Sequence, residues 1–231
     1  MSDGNLAANA APDSRAHAAP PELRHHFVNL AAQREASTLA MWMFLVTEVL
    51  FFGGMFTAYV IYRSSYRHAF EGASNLLDLK LGAINTAVLI CSSLTMALAV
   101  WASGAGKKRA TILCLVGTIL LGGAFLGIKA VEYTQKFEHH EVPGPHFVVP
   151  EGLPRQSEMF FSLYFCMTGL HALHMVIGVG LLTWLIVKAQ RNEFSPRYNT
   201  PVDLVGLYWH FVDIVWIFLF PLLYLLGRHT L

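Results

Sequence analysis

Cysteine is scarce in this sequence and has no pattern. Its three occurrences, Cys91, Cys114 and Cys166, fall singly in three different apolar stretches. That spacing excludes a Cys-X-X-Cys redox or zinc motif, and the thiols read as small, reduced packing groups. Charge is scarce too: Asp, Glu, Lys and Arg make up 13% of the 231 residues and nearly cancel, at a formal net charge of +1. A chain so balanced lacks the basic footprint of nucleic-acid binding, so no nucleic-acid partner is expected. A secretory leader is also missing, since nothing near the start combines a short apolar run with a basic start and a small-residue cleavage site. Residues 1–36 carry Ala, Pro, His and isolated charges without periodicity, and read as a disordered cytoplasmic tail.

Apolar residues are abundant, at 55% against about 45–50% for ordinary soluble domains. Five apolar runs, at about 37–62, 79–102, 110–133, 159–187 and 204–226, each reach the roughly 20 residues that a helix needs to cross hydrocarbon. The expected fold is all-α: a polytopic membrane protein whose residues 37–231 form a five-transmembrane-helix bundle. A soluble alternative would need cover on both sides of five apolar helices, which a chain this short does not provide. The first span then serves as the insertion signal. Basic residues set the orientation. Arg15, Arg24, Arg34, Lys107, Lys108, Arg109, Lys188, Arg191 and Arg197 fall on one side, against Arg63, Arg67, Lys80, Lys136, Arg155 and Arg228 on the other. That bias places the N-terminus in the cytoplasm and the C-terminus outside, with Lys129 inside the third span.

Against this apolar background the polar groups inside the spans stand out. Glu48 lies near the middle of the first, where an ionised carboxylate costs roughly 2.5–3.5 kcal/mol even on the lenient insertion scale. It must be protonated, paired or in contact with a water-filled crevice, which points to proton handling, ion handling or a partner contact; a neutral helix-to-helix hydrogen bond is the plainer reading. In the second span Asn85, Ser92 and Met96 fall close to one face, with Thr86 and Ser93 beside it. In the third, Gly123 and Gly127 have the four-residue spacing that allows close helix approach. The fourth carries His171 and His174 on one face with Gly178, and the fifth carries the stripe Asp203, Gly206, His210 and Asp213. A carboxylate turned toward an imidazole on a facing helix would satisfy both.

Only His171, His174 and His210 are histidines inside spans, too few for a set of haems or a copper-haem oxygen site. Outside them, His139, His140 and His146 neighbour Glu138 and Glu141 in the loop between the third and fourth spans. Four prolines there, Pro143, Pro145, Pro150 and Pro154, rule out a helix through the loop and give no defined ligand geometry, so an irregular, solvated outer cap is expected rather than a metal site.

Four segments in register, FLVTEVLFFGGMF (Phe44–Phe56), GIKAVEY (Gly127–Tyr133), GLHALHMVIGVGLLTW (Gly169–Trp184) and YWHFVDIVWIFLFPLLYL (Tyr208–Leu225), resemble subunit III of the haem-copper oxidases, in its short five-helix bacterial form. The resemblance covers the chain from about residue 37 to the end. It implies a non-catalytic subunit of a respiratory terminal oxidase, taken as cytochrome c oxidase, which reduces oxygen to water and pumps protons. The chain would then belong to an enzyme only as part of that complex. Haems and copper are expected in the partner subunits I and II and not in this chain, with a small subunit IV as a further neighbour, and with bound phospholipid. The expected setting is the bacterial inner membrane.

Residue by residue, Glu48 matches the family's buried, carbodiimide-reactive glutamate and Glu132 the acid of its Glu-Tyr pair. His171 and His174 match the two histidines of the next span, and His210 and Asp213 those of the His-Phe-Val-Asp run. The resemblance assigns these groups to packing, lipid binding and support of proton uptake, none of them to oxygen chemistry. Seven-helix members carry two further helices at the front that form a lipid cleft; without them, another subunit's helices would have to complete one. Competing readings are a subunit III of a quinol oxidase, an accessory protein of nitric oxide reductase, and an independent ion transporter, the last without an internal repeat or broken helix pair in its favour.

Overall fold

A computed structural model describes residues 27–144, 147–150, 152–194 and 198–225. It contains six α-helices: α1 (Leu30–Ser65), α2 (Arg67–Asn75), α3 (Leu79–Gly104), α4 (Lys108–Glu138), α5 (Ser157–Gln190) and α6 (Thr200–Phe220), the last continuing into one π-helical turn, Pro221–Leu225. No strand occurs among the described residues, and five helices, all except α2, are long and apolar enough to cross a membrane. The chain is therefore an all-α, five-span bundle.

Each helix extends beyond the apolar run that announces it. Helix α1 starts at Leu30, capped by the Asn29 side chain, which accepts from the Ala32 amide at 2.8 Å. Residues 30–36, expected in the tail, are thus helical: Ala, Gln, Arg and Glu are good helix formers once a cap is present. Residues 1–26 of that tail lie outside the described residues. Helix α4 likewise runs on to Glu138, consuming the start of the expected loop, and His139 caps it. Between α1 and α3 the amphipathic α2 turns along the end of the bundle and buries Ala69, Phe70 and Ala73; its nine residues are too short for a span and too polar to be read as one.

Helices α1, α3, α4, α5 and α6 alternate in direction. One end of the bundle carries the tight α3–α4 turn, where Gly106 takes a positive φ of 67°, and the α5–α6 connection. The other carries α2, the 139–156 loop and the π turn. Three exposed tryptophans, Trp42, Trp101 and Trp184, ring the first end, with Lys107 4.5 Å above the Trp101 ring and Lys188 4.8 Å above Trp184. Amphipathic rings with cations at their faces are what an interfacial belt requires.

Helix α6 is the centre of the bundle. Half of its most apolar stretch is buried, against 11% for α1, which touches the rest through a single seam of Leu45, Phe52 and Tyr59, seven residues apart. Lipid tails are as apolar as leucine, so the helices are held by close packing and polar contacts rather than by escape from water. Trp209 shows how. Its indole donates to Ser92 Oγ at 3.0 Å and lies over two glycines: a Cβ on Gly122 of α4 would come within 2.9 Å of the ring, and one on Gly178 of α5 within 2.8 Å. On α4 the close-approach glycine is Gly122, not Gly123 or Gly127, which face outward, where an added methyl would meet nothing within 4 Å. Between α3 and α4 runs a polar seam. Asn85 donates to the Phe125 carbonyl at 3.4 Å and Ser92 to that of Thr118 at 3.5 Å, and Thr95 pairs with Thr118 at 2.8 Å.

Candidate functional site

The polar groups of the spans assemble into three places. The first is a buried cluster at the α4–α5–π-turn junction. Lys129 and Glu132, one turn apart on α4, form an ion pair of 3.0 Å with side chains only 5% and 3% exposed. Pro221, which has no amide hydrogen, ends the regular ladder of α6, and the wider π turn that follows points Tyr224 inward. Tyr224 and Tyr164 both donate to Glu132 Oε1, at 2.5 and 2.7 Å, and Lys129 Nζ donates to both hydroxyls at 3.0 Å. Every charge in the cluster has a partner, as burial in hydrocarbon demands. The π turn is a hub as well: its carbonyls at Leu222 and Leu223 accept from Tyr59 (2.8 Å) and Ser74 (2.6 Å). Reading the sequence missed Lys129 as a member; an opposite charge three residues from Glu132 inside one span was the available signal. His171 lies beside this cluster, fully buried between Phe125 (5.4 Å) and Trp216 (5.2 Å), and neither ring nitrogen has a hydrogen bond among the described residues.

The second place is the Glu48–His174 pair, joining mid-α1 to mid-α5. His174 Nε2 lies 3.2 Å from Glu48 Oε2, and its Nδ1 lies 2.8 Å from the Leu170 carbonyl. A carbonyl only accepts, so Nδ1 carries a hydrogen. The remaining choice is a neutral carboxyl donating to Nε2 or a carboxylate accepting from a doubly protonated ring. Either way the pair holds one shared proton and no net charge, which is how a carboxyl survives at that depth. Tyr208 fixes the ring's backbone by donating to the His174 carbonyl at 3.0 Å. His171 and His174, three residues apart, therefore part company: one faces the α4–α6 core, the other α1.

Glu48 and His174 line a cleft of about 620 Å³ among α1, α5 and α6. Its walls are Phe44, Ile177, Leu181 and Leu204, and Gln33, Arg34 and Tyr198 stand at the mouth near the tryptophan ring. Three of the chain's own spans, α1, α5 and α6, enclose this cleft.

In the third place the stripe expected on the last span divides. Asp203 pairs with Arg34 at 3.5 Å on the bundle's end. Gly206 lets α6 close on α3, where a Cβ would meet Val100 at 2.9 Å. One turn on, His210 Nδ1 meets Ser93 Oγ at 2.8 Å. Asp213 is 3% exposed, next to the same Ser93, and neither of its oxygens completes a hydrogen bond among the described residues. Among the described residues no three His, Cys, Asp or Glu converge as metal ligands; of the loop histidines, His146 lies outside them.

Comparison with known proteins covers the five spans that carry these groups. The profile of the family described as cytochrome c oxidase subunit III matches residues 25–228. The chain is 31% identical over 195 residues to the cytochrome bo(3) ubiquinol oxidase subunit 3 of Pseudomonas aeruginosa, covering 83% of this chain and 85% of that one. It is 28% identical over 189 residues to the quinol oxidase subunit 3 of Bacillus subtilis, covering 82% and 86%.

Proposed function

The chain belongs to the cytochrome c oxidase subunit III family, and from that premise we propose that it is the non-catalytic third subunit of a proton-pumping haem-copper terminal oxidase, bound to subunits I and II and a small subunit IV. The observation that carries this reading is the Glu48–His174 pair, a neutral, proton-sharing unit at mid-depth facing a cleft. A proton passes between the two groups across 3.2 Å without changing the net charge of the site, so the pair can hand a proton from one helix to the other at little electrostatic cost. Haems and copper reside in the partners; the residues of this chain supply packing, a proton-bearing pair and a lipid seat.

Bound phospholipid is the occupant we assign to the α1–α5–α6 cleft. Arg34, Gln33 and Tyr198 at its mouth suit a headgroup, and the apolar walls suit acyl chains. The cluster around Lys129 and Glu132 locks the opposite end of the bundle and has no open face for a ligand. The basic residues at the tryptophan-ringed end, Lys107, Lys108, Arg109, Lys188 and Arg191, favour placing that end at the cytoplasmic face of a bacterial inner membrane, N-terminus inside.

The electron donor is the finer point. The expectation from the sequence is cytochrome c; the relatives named above are quinol oxidase subunits, which favours a quinol. Purification of the tagged chain in mild detergent tests the whole reading: a haem-bearing multi-helix subunit should accompany it, with oxygen uptake sustained by ubiquinol rather than by cytochrome c. Glu48→Ala should leave the visible spectrum of that complex unchanged. A colourless, solitary chain would refute the assignment.

A further inference from the structure

At the tryptophan-ringed end of the bundle, the α3–α4 turn and the end of α5 enclose a small polar pocket of about 40 Å³, separate from the lipid cleft. Ser103, Gly106, Lys108, Thr111 and Asn192 line it. The pocket sits at the N-terminus of α4, a helix of 31 residues whose cap residue, Lys107, makes no side-chain cap hydrogen bond and whose first turn holds no acid. The amides of Arg109 and Ala110 accordingly have no acceptor among the described residues. Three cations, Lys107, Lys108 and Arg109, stand at this positive end of the helix dipole, where like charge is unfavourable. Ser103 adds an independent sign. It is 4% exposed, and its hydroxyl has no hydrogen-bond partner among the described residues. Helical hydroxyls elsewhere in the chain, those of Ser37, Thr57, Thr86 and Thr183, donate to the carbonyl four residues back. Ser103 forgoes that bond and keeps its hydrogen for the pocket it lines.

We propose that this pocket binds a phosphate group, held by the Ser103 hydroxyl, the Lys108 ammonium and the free amides in the first turn of α4. Lys108 is fixed in advance for that task. Its Nζ donates to the Gln190 carbonyl at 2.8 Å and to Asn192 Oδ1 at 2.7 Å, which ties α4 to the end of α5 and leaves the third ammonium hydrogen open. Both acceptors are uncharged, so the cation brings its whole charge to the pocket. Asn192, engaged through its oxygen, keeps its NH2 group as a further donor. Glu193, the acid that follows α5, is held by Lys188 at 3.0 Å and does not neutralise Lys108. The lining therefore offers donors and positive charge without a carboxylate, a composition that selects an anion. Trapped water would satisfy Ser103 but leave the like charges uncompensated. A volume of about 40 Å³ admits roughly three water-sized groups, enough for the oxygens of one phosphate. Gly106, Lys108 and Asn192 are exposed at the rim, so the phosphate has two sources: a phospholipid headgroup of the adjoining leaflet, and free phosphate in the aqueous phase.

The test follows amide hydrogen exchange by mass spectrometry in the first turn of α4, in the tagged chain purified in maltoside detergent with its accompanying subunits. Inorganic phosphate is titrated in one arm and phosphatidylglycerol in mixed micelles in the other, each against sodium chloride of equal ionic strength and each variant against its own anion-free state. Exchange of the peptide carrying Arg109 and Ala110 should slow about tenfold at saturation, because an amide held by an anion exchanges only when released. Protection in the first arm identifies free phosphate as a competent source, and protection in the second alone identifies the headgroup; either supports the site. Ser103→Ala should raise the half-saturating concentration about tenfold, the worth of one hydrogen bond to a charged group. Lys107→Met and Lys108→Met each remove one charge from the same cluster, but only Lys108 lines the pocket. Lys108→Met should abolish protection and Lys107→Met weaken it about threefold or less. Equal losses in the two lysine variants, or protection by chloride as strong as by phosphate, would reduce the effect to screening of a basic surface and overturn the proposal. No protection in either arm, or an unchanged half-saturation in Ser103→Ala, would overturn it as well. The lysine pair, both exposed, keeps the test decisive if Ser103→Ala does not fold.

Discussion

Removing Glu132 alone should be more damaging than removing Glu132 and Lys129 together. In Glu132→Leu the Lys129 ammonium keeps only the Tyr164 and Tyr224 hydroxyls, at 3.0 Å each, in a place where its side chain is 5% exposed. Leaving one member of a buried pair uncompensated costs about 3–5 kcal/mol, which lowers the folded-to-unfolded ratio by on the order of 10²–10⁴. Lys129→Met is milder, because Glu132 retains both tyrosine donors. The double variant removes the charges and leaves the Tyr164 and Tyr224 hydroxyls to bond each other, with at most one of them short of a partner, a penalty of about 1–3 kcal/mol. Titrating the purified chain with sodium dodecyl sulfate in mixed micelles reads this order directly. Trp216, 5.2 Å from Lys129 Nζ, reports through its fluorescence. The midpoint should be lowest for Glu132→Leu and should recover in the double variant. Costs that simply add, or a Glu132→Leu midpoint equal to that of the unaltered chain, would refute the argument.

Gly178→Ala and Gly122→Ala should each cost about 1–3 kcal/mol by pressing on the Trp209 ring, whereas Gly180→Ala and Gly123→Ala, with open space at the new methyl, should leave the same titration unmoved. His174→Phe removes the only side-chain hydrogen-bond partner of Glu48 among the described residues and leaves its carboxyl facing the cleft unengaged; a hydrophobic carbodiimide should then label Glu48 faster, as followed by mass spectrometry of the chain. On α2, the Arg67 side chain hydrogen-bonds Glu71 at 2.7 Å and holds its carboxyl below the ordinary range. A depressed carboxylate stabilises above its unfolded pKa and loses that contribution as pH falls through the folded one. Arg67→Ala should therefore return the Glu71 titration, read by carbon NMR, upward to the normal carboxylate range.

The five spans were legible because length and apolar content suffice to mark a membrane helix, and Glu48 was legible because a carboxylate in such a run is conspicuous. The partner of Glu48 was not, since two histidines three residues apart look equivalent until the rotation of α5 against α1 sends His174 outward and His171 inward. The glycines mislead for the same reason. Gly123 and Gly127 have the familiar spacing, but which face of α4 meets α5 and α6 is decided by Trp209, a residue about 80 positions away in the chain whose role has no local signature. Helix ends are underestimated because capping by Asn29 and by His139 extends helices into polar sequence where hydropathy is silent. The π turn is legible only in retrospect, from Pro221 within an otherwise uninterrupted apolar run.

The central position of α6 also has a consequence for how the protein is made. Translation delivers this helix after the other four spans, yet it carries Trp209 for the glycine notches of α4 and α5, Tyr224 for Glu132, and the carbonyls that receive Tyr59 and Ser74. Until it arrives, the earlier spans wait in the bilayer with open notches and unanswered polar groups, a state that membrane quality control recognises as unfinished. Ribosomal termination one helix early would thus yield not a slightly weakened subunit but four helices without a common centre, destined for proteolysis before any oxidase could recruit them.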